Sequence, residues 1–277
     1  MLSNCLTVDV EEWFHICGVG SLGREHWDVL PSRVVENTRH LLDLLDSHQV
    51  RATFFVLGWV AERHPALVAQ IASAGHEIAS HGQFHTPVYD LSPDAFAVEL
   101  DCSLHALAAA GATPVRGFRA PQWSINDRSL WALDVLARKG FRFDSSLAPL
   151  RIIGNPRYPQ APHTRVTTGG ELLEFPPMVE RRCGQNFPLG GGWGLRMTPP
   201  SHVLSRIEER NRRGEPVALF VHPWEIDPDP PRVRLPWAKR FVHYFRLDGF
   251  RSRLSDVLHG ARFAPMGEVL GLGSGKD

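Results

Sequence analysis

Two histidines separated by three residues, His81 and His85, directly follow the short apolar run 75–79. A second polar cluster, with Asp9 and Glu11, ends another apolar run near the N-terminus. Two imidazoles and one carboxylate are the ligands of many catalytic zinc sites, in which a further position stays open for water or substrate. Because the chain contains 14 histidines, chance also produces this spacing. The pair alone is more typical of a polar loop, so its meaning depends on the residues around it.

Composition indicates a soluble globular protein and excludes some partners. The 277 residues are 43% hydrophobic and 22% charged, which suits a sizeable core. Thirty basic and thirty acidic residues give a formal net charge of zero, so nothing indicates binding to nucleic acid or to an anionic membrane. The four cysteines are far apart, which favours free thiols over disulfides or a structural zinc site.

The N-terminal residues have neither a basic region nor a long apolar stretch, so we expect no signal peptide. No 18-residue apolar stretch without charges occurs, which predicts that there is no transmembrane segment. We therefore expect a cytoplasmic location, with the periplasm as the alternative.

Short apolar runs alternate with stretches of helical periodicity. We predict seven strands, at 5–10, 52–57, 77–80, 115–119, 142–145, 172–175 and 217–222. Helices are predicted at 32–48, 65–74, 92–110, 127–139, 201–213 and 240–258. Strands that alternate with helices indicate a parallel sheet with helices packed outside. The pattern predicts an α/β fold, an irregular (β/α) barrel of about seven parallel strands. We expect one domain over 1–277, with a C-terminal extension from about residue 226.

Two long segments without a clear period, 149–168 and 186–200, are predicted to be loops. Loops of this length are often functional, but a plain surface excursion explains them equally well.

Polar residues that follow the predicted strands are the candidates for chemistry, because the active site of a parallel barrel lies at the C-terminal ends of its strands. These residues are Asp9, Glu11, His81, His85, Arg119, Asp144 and His222. The set contains a base, a possible metal triad, a cation and a second carboxylate with an imidazole. Such a set is sufficient for metal-assisted hydrolysis.

The same positions resemble the polysaccharide deacetylases of the NodB-homology type, carbohydrate esterase family 4, over about residues 6–225. Five motifs of that family occur in order. They are an acidic pair after threonine at 7–11, S/T-H-x-x-x-H at 80–85, Arg-x-Pro at 119–123, an aspartate in a short strand at 143–146, and an apolar strand ending in histidine at 219–223. The variants of these motifs are most similar to the subgroup associated with bacterial exopolysaccharide loci.

The resemblance implies hydrolysis of N-acetyl groups on hexosamine units of a polysaccharide or its precursor. Glu11, His81 and His85 would hold a divalent metal ion, with zinc the expected one. Asp9 would act as general base and His222 as general acid.

The remaining roles implied by the resemblance concern positioning and substrate binding. Arg119 would hold Asp9, and Asp144 would orient His222 and favour its protonated form. The oxyanion would contact the metal and a backbone N–H near Ser145. The three tryptophans that could stack on sugar faces, or else belong to the core, are Trp123, Trp193 and Trp224.

One departure from the family concerns the metal carboxylate. The commoner pattern has two adjacent aspartates, but Val10 occupies the second position here. Side chains alternate along a strand, so Glu11 would lie on the same side as Asp9, and Glu12 on the other. Glu11 is the predicted ligand. Glu12 is the alternative if the chain leaves strand geometry before this point.

Two other functions stay open. One is the metal-independent hydrolysis of a cyclic amide or imide, as in allantoinase-like relatives of the same fold. The other is carbohydrate binding without catalysis. The retained ligands argue against the first, and the retained Asp9 and His222 argue against the second. We expect an N-acetylated oligo- or polysaccharide as the partner, and hypothesise a lipid-linked or soluble precursor.

Overall fold

The computed structural model describes residues 2–227 and 229–273. The strands are β1 (Asn4–Val10), β2 (Thr53–Val56), β3 (Glu77–Ser80), β4 (Gly117–Phe118), β5 (Phe143–Asp144), β6 (His163–Thr167), β7 (Gly170–Glu174), β8 (Val179–Arg182), β9 (Gln185–Pro188), β10 (Ala218–Val221) and β11 (Phe263–Ala264). The helices are α1 (Val34–Ser47), α2 (Gly58–Arg63), α3 (Pro65–Ser73), α4 (Pro93–Ala109), α5 (Trp131–Arg138), α6 (Gly192–Met197), α7 (Pro200–Arg212), α8 (Trp237–Tyr244), α9 (Phe250–Gly260) and α10 (Met266–Val269).

Seven parallel strands form the central sheet, in the order β10-β1-β2-β3-β4-β5-β7. Strand β6 adds to β7 as an antiparallel partner, and β8 pairs with β9 in a separate hairpin. Beyond β7, Pro177 and Gly191 form bridges to Ala218 and Phe220 of β10. The chain beyond β7 thus connects to β10, the strand at the other edge of the sheet, and so closes the barrel. The prediction of an irregular barrel of about seven parallel strands is confirmed.

Alternation along β1 directs its side chains to two different surroundings. Leu6 and Val8 belong to the large core cluster beneath the helices. Cys5 belongs to a second cluster inside the barrel, and Asp9 follows on the same side of the strand. The other buried members of this interior cluster are Phe55, Ala79, Phe143, Phe175, Ala218 and Met266. The barrel is therefore filled with apolar side chains below its C-terminal rim, and polar groups begin near Asp9.

The predicted helix at 240–258 is wrong, because two helices, α8 and α9, occupy this region. The guanidinium of Arg196 donates hydrogen bonds to the carbonyls of Val242, His243 and Phe245 at the end of α8. Those carbonyls would otherwise accept from the next helical turn. Gly249, with φ of 76°, then starts α9 in a new direction.

The two predicted loops contain regular structure. Segment 149–168 ends in β6, and segment 186–200 includes the end of β9 and all of α6. Strand β6 is half-buried to exposed along its length, so it lacks the apolar pattern that reveals a strand in the sequence. Among the described residues, no helix has the length and apolar character needed to cross a membrane.

Candidate active site

A cavity of about 490 Å³ lies at the C-terminal ends of β1, β3 and β10. Asp9 is near the end of β1, His81 directly follows β3, and His222 directly follows β10. Parallel strands present their C-terminal ends on one rim, which is why residues more than 200 positions apart meet here. The predicted site residues that line the cavity are Asp9, Glu11, His81, His85, Trp123, His222 and Trp224.

Glu11, His81 and His85 form a buried cluster in which one ligand atom of each residue lies within 4.8 Å of the others. The Nδ1–H of His81 donates to the carbonyl of Arg119 at 2.8 Å, so its Nε2 is free to bind a cation. Glu11 Oε2 lies 2.7 Å from His85 Nε2, and both side chains are buried. A carboxylate oxygen and an imidazole nitrogen this close can share a cation, so the cluster fits a divalent metal ion.

The ionisation of the cluster also suits a cation. Burial raises the pKa of the Glu11 carboxyl, but the charge of His85 more than offsets this and holds it below its usual range. Burial lowers the pKa of His81 to about 4, which keeps this ring neutral. Burial also lowers the pKa of His85, but the Glu11 carboxylate raises it to about 10. The carboxylate thus attracts positive charge to this position, which a proton or a metal cation can supply.

Glu12, the alternative ligand, lies elsewhere. Its carboxylate accepts hydrogen bonds from the Ser32 hydroxyl and from the backbone N–H of Arg33 at 3.0 Å, just before α1. Glu12 therefore accepts hydrogen bonds from donors at the start of α1, and such contacts stabilise a helix.

A buried ion pair fixes Asp9. Its Oδ1 accepts from Nη1 of Arg119 at 2.7 Å, and the same nitrogen donates to the Thr7 hydroxyl at 2.8 Å. Arg119 Nη2 donates to the hydroxyl of Ser145 at 2.8 Å, and its guanidinium lies 4.2 Å from the centre of the Phe55 ring. Loss of either charge would leave the other buried without a partner, at a cost of about 3–5 kcal/mol.

His222 is held by Glu225, not by the expected aspartate. The ring Nδ1–H and the backbone N–H of His222 both donate to Glu225 Oε2 at 3.0 Å. Burial lowers the pKa of His222, but this hydrogen bond and the charges of Glu11, Glu225 and Asp9 raise it to about 9. Its Nε2 lies 3.7 Å from Glu11 Oε1 and 3.9 Å from Asp9 Oδ2. A proton donor thus stands beside the expected base and metal ligand.

Residues 190–193, with the sequence Gly-Gly-Gly-Trp, bring their backbone close to the pair of His222 and Glu225. A Cβ on Gly192 would lie 1.9 Å from Glu225 Oε1, so only glycine allows this approach. Arg196, one turn further along α6, places its Nε 3.2 Å from the same oxygen. The segment therefore supports the partner of His222.

Two expectations for the fourth motif are wrong. Asp144 does not contact His222, because strand β5 lies across the barrel from β10. The Asp144 carboxylate instead accepts a hydrogen bond from the Ser146 hydroxyl at 2.5 Å and lies beside Glu174. Burial raises the pKa of Asp144. The backbone N–H of Ser145 donates to the carbonyl of Phe118 at 3.0 Å, and that of Ser146 donates to Asp144 Oδ2 at 3.2 Å, so neither is free to stabilise an oxyanion. Ser145 instead accepts hydrogen bonds from the Arg119 guanidinium, and Asp144 accepts one from Ser146.

The three tryptophans differ in their surroundings. Trp123 lines the cavity against Phe220, with ring centres 4.2 Å apart. Trp224 also lines it, stacks on His222 and donates from Nε1 to Glu11 Oε1 at 3.4 Å. Trp193 lies in α6 and does not line the cavity, so the expectation that it contacts sugar is not supported.

The cavity also includes residues that the sequence reasoning missed. Cys17 Sγ lies 3.4 Å from His85 Nδ1, and His15 stacks on His85 with ring centres 5.8 Å apart. His243 of α8 stacks on Trp224 with ring centres 4.2 Å apart. The position of His15 in the sequence, four residues after Glu11, is a signal that could have marked it as a candidate site residue. No local pattern predicts His243, because a distant helix brings it to the site.

Comparison with known proteins supports the resemblance. Residues 26–143 match the model of the polysaccharide deacetylase family, and residues 145–271 match a domain of unknown function, DUF3473. Residues 26–143 therefore carry the sequence features of a polysaccharide deacetylase domain. The first matched segment contains His81, His85 and Arg119, whereas His222 lies in the second.

Relatives of this deacetylase domain include a chitooligosaccharide deacetylase of Rhizobium leguminosarum bv. trifolii, 31% identical over 43% of this chain and 52% of the relative. A peptidoglycan-N-acetylglucosamine deacetylase of Bacillus cereus is 28% identical over 40% of this chain and 45% of the relative. The chain thus spans about half the length of these curated relatives. A solved structure from Mycobacterium smegmatis, assigned as a polysaccharide deacetylase, has the same fold, with a TM-score of 0.61 and 22% identity over 98% of this chain and 90% of that one.

The geometry predicts different outcomes for two adjacent glutamates. Glu11→Gln should weaken zinc binding by more than roughly 10-fold, because even residues that only orient ligands contribute that much. Glu12→Gln should leave zinc affinity at the wild-type level and lower the stability by about 1 kcal/mol, as expected for a helix cap. Zinc titration and urea unfolding of both variants measure these effects. Intact binding in Glu11→Gln together with loss in Glu12→Gln would contradict the assignment.

Proposed function

We propose that the protein is a metal-dependent hydrolase that removes N-acetyl groups from hexosamine units of a polysaccharide or its precursor. The observation that carries this proposal is the meeting of three units in one cavity. They are the cluster of Glu11, His81 and His85, the pair of Asp9 with Arg119, and the pair of His222 with Glu225. The named activities of the relatives support an N-acetylated saccharide as the substrate.

Glu11, His81 and His85 would hold the metal ion, with zinc proposed from the donor set of two imidazoles and a carboxylate. When bound, a divalent ion supplies a Lewis acid that polarises the amide carbonyl and makes water more acidic. The carboxylate of Glu11 and the neutral ring of His81 are suited to bind it without first losing a proton.

Asp9 is placed to accept a proton from the attacking water. Arg119 holds Oδ1 at 2.7 Å, which leaves Oδ2 facing the cavity toward His222. The guanidinium thereby fixes the orientation of the base without occupying both of its oxygens. A positioned base of this kind contributes about 10²- to 10⁴-fold to the rate.

His222 is placed to give a proton to the leaving amine. Its pKa of about 9 keeps the imidazole protonated at neutral pH, and Glu225 on Nδ1 directs the remaining N–H of Nε2 into the cavity. Base and acid lie on β1 and β10, which are neighbours in the sheet. Proton removal and proton donation can therefore both occur in this cavity, which Asp9 and His222 line.

The alternatives considered from the sequence are less well supported. A metal-independent cyclic amide hydrolase would not need the buried arrangement of Glu11, His81 and His85. A protein that only binds carbohydrate would not need a buried Asp9 paired with arginine beside a protonated His222. The residues Glu11, His81, His85, Asp9 and His222 all line this cavity, which supports the proposed hydrolysis.

Removal of the base or the acid should abolish most activity. Asp9→Asn and His222→Ala should each lower acetate release from N-acetylglucosamine oligomers by about 100-fold or more. Asp101→Asn and His105→Ala, which change exposed residues on α4, are matched controls and should keep wild-type rates. Circular dichroism and thermal unfolding check that each variant is folded. A folded His222→Ala variant with wild-type acetate release would contradict the proposal, as would wild-type protein that opens cyclic imides but releases no acetate from the oligomers.

The pair of His222 with Glu225 predicts a shift in pH dependence. A general acid must be protonated, so activity should fall as the pH rises through the pKa of His222, about 9. Glu225→Gln removes the charge that raises this pKa, and the basic limb of the pH–rate profile should therefore move to lower pH. Glu180→Gln, which disrupts a similar pair with His202 outside the cavity, should leave the limb in place. An unchanged basic limb in Glu225→Gln would exclude His222 as the acid.

A further inference from the structure

Helix α8 presents large apolar side chains to solvent beside the active-site cavity. Trp237 is 85% exposed and Phe241 is 43% exposed. They are four residues apart and therefore lie on the same helical face. Large exposed side chains that share a face are unusual for a soluble protein unless the face binds something.

The surroundings of this face carry several cationic residues. Residues 230–247 contain five cationic residues and no acidic residue, and Asp229 and Asp248 border this segment. Three of them, Arg232, Arg234 and Arg240, line a cavity of about 680 Å³ next to α8. Within the described residues, no carboxylate forms an ion pair with any of these three arginines. The zero net charge of the whole chain is therefore compatible with a local cationic surface, although it predicts no binding to an anionic membrane.

The inner face of α8 is fixed to the rest of the protein. His243 is buried and stacks on Trp224, and Arg196 binds the carbonyls at the end of the helix. Lys239 donates to the carbonyls of Cys17 and Gly18. The outward position of Trp237 and Phe241 is thus built into the fold.

We propose that this surface, which we name the α8 surface (Arg232, Arg234, Trp237, Arg240 and Phe241), docks the protein on an anionic lipid bilayer. Tryptophan and phenylalanine on one helical face insert at the boundary of headgroups and acyl chains. Arginines around them bind headgroup phosphates, each contributing about fivefold to partitioning. An acidic polysaccharide suits the surface less well, because residues 230–247 contain no Asp, Glu, Asn, Gln, Ser or Thr to bond sugar hydroxyls.

The position of the α8 surface gives the docking a consequence for the reaction. Ala238, Lys239, Val242 and His243 of the same helix line the active-site cavity. Docking would therefore bring the cavity to the membrane surface, where a lipid-linked saccharide presents its sugars. This consequence rests on the proposed function, whereas the binding to lipid does not.

Vesicle co-sedimentation of the full chain tests the docking. The protein should pellet with vesicles of phosphatidylcholine containing about 30% phosphatidylglycerol and stay in solution with phosphatidylcholine alone. Trp237→Ala with Phe241→Ala should abolish most pelleting, and Arg232→Gln, Arg234→Gln and Arg240→Gln together should lower the partition coefficient by about 100-fold. Matched controls are Val166→Ala, an equally exposed apolar residue, and the exposed set Arg157→Gln, Arg181→Gln and Arg212→Gln, which should pellet like wild type.

The remaining outcomes separate other ligands. Wild-type protein that stays in solution with the anionic vesicles overturns the proposal, whether or not it binds an acidic polysaccharide such as alginate. Binding of inorganic phosphate by protein that does not pellet with the anionic vesicles also overturns it and indicates a free-phosphate site.

Acetate release from soluble N-acetylglucosamine oligomers by the α8-surface variants should stay at the wild-type level, because none of these residues lines the active-site cavity. A protein that binds vesicles but releases no acetate would contradict the proposed function and leave the docking intact.

Discussion

One fully buried guanidinium, that of Arg119, connects most parts of the candidate site. The guanidinium pairs with Asp9 of β1 and donates to the hydroxyl of Ser145 next to β5. The backbone carbonyl of Arg119 accepts a hydrogen bond from His81. A buried charge of this kind is tolerated only when its donors are satisfied, so the surrounding groups are held in one arrangement. The apolar interior of the barrel below it, including Phe55, excludes water from the pair. Asp9, the proposed base, and His81, a proposed metal ligand, thus share one rigid support.

A second buried pair, His222 with Glu225, depends on the C-terminal half of the chain. Arg196 and Gly192 of α6 hold Glu225, and the C-terminal end of α8 is tied to the same arginine. The residues that tune the acid therefore belong to the segment that matches the domain of unknown function. This dependence offers a physical reason why that segment accompanies the deacetylase match, because it contains His222 together with its partner Glu225 and the residues that hold Glu225.

The strands and the first-motif geometry were accessible from the sequence, because apolar runs and strand alternation are local properties. All seven predicted parallel strands occur, and alternation predicts Glu11 on the side of Asp9, where the structure has it. The partner of His222 was not accessible in this way. The fourth motif suggests Asp144, but β5 lies across the barrel from β10. The actual partner, Glu225, lies just beyond the fifth motif at 219–223. The cationic surface at α8 was missed because total charge averages over faces.

The central claim is that the cluster of Glu11, His81 and His85 holds a metal ion on which amide hydrolysis depends. The most direct measurement is acetate release from N-acetylglucosamine oligomers by the purified protein, before and after complete chelation and after addition of one equivalent of zinc or another divalent ion. We expect release to be lost on chelation and restored by the ion, with the fold unchanged by circular dichroism. Undiminished acetate release from protein that elemental analysis shows to be free of metal would contradict the account.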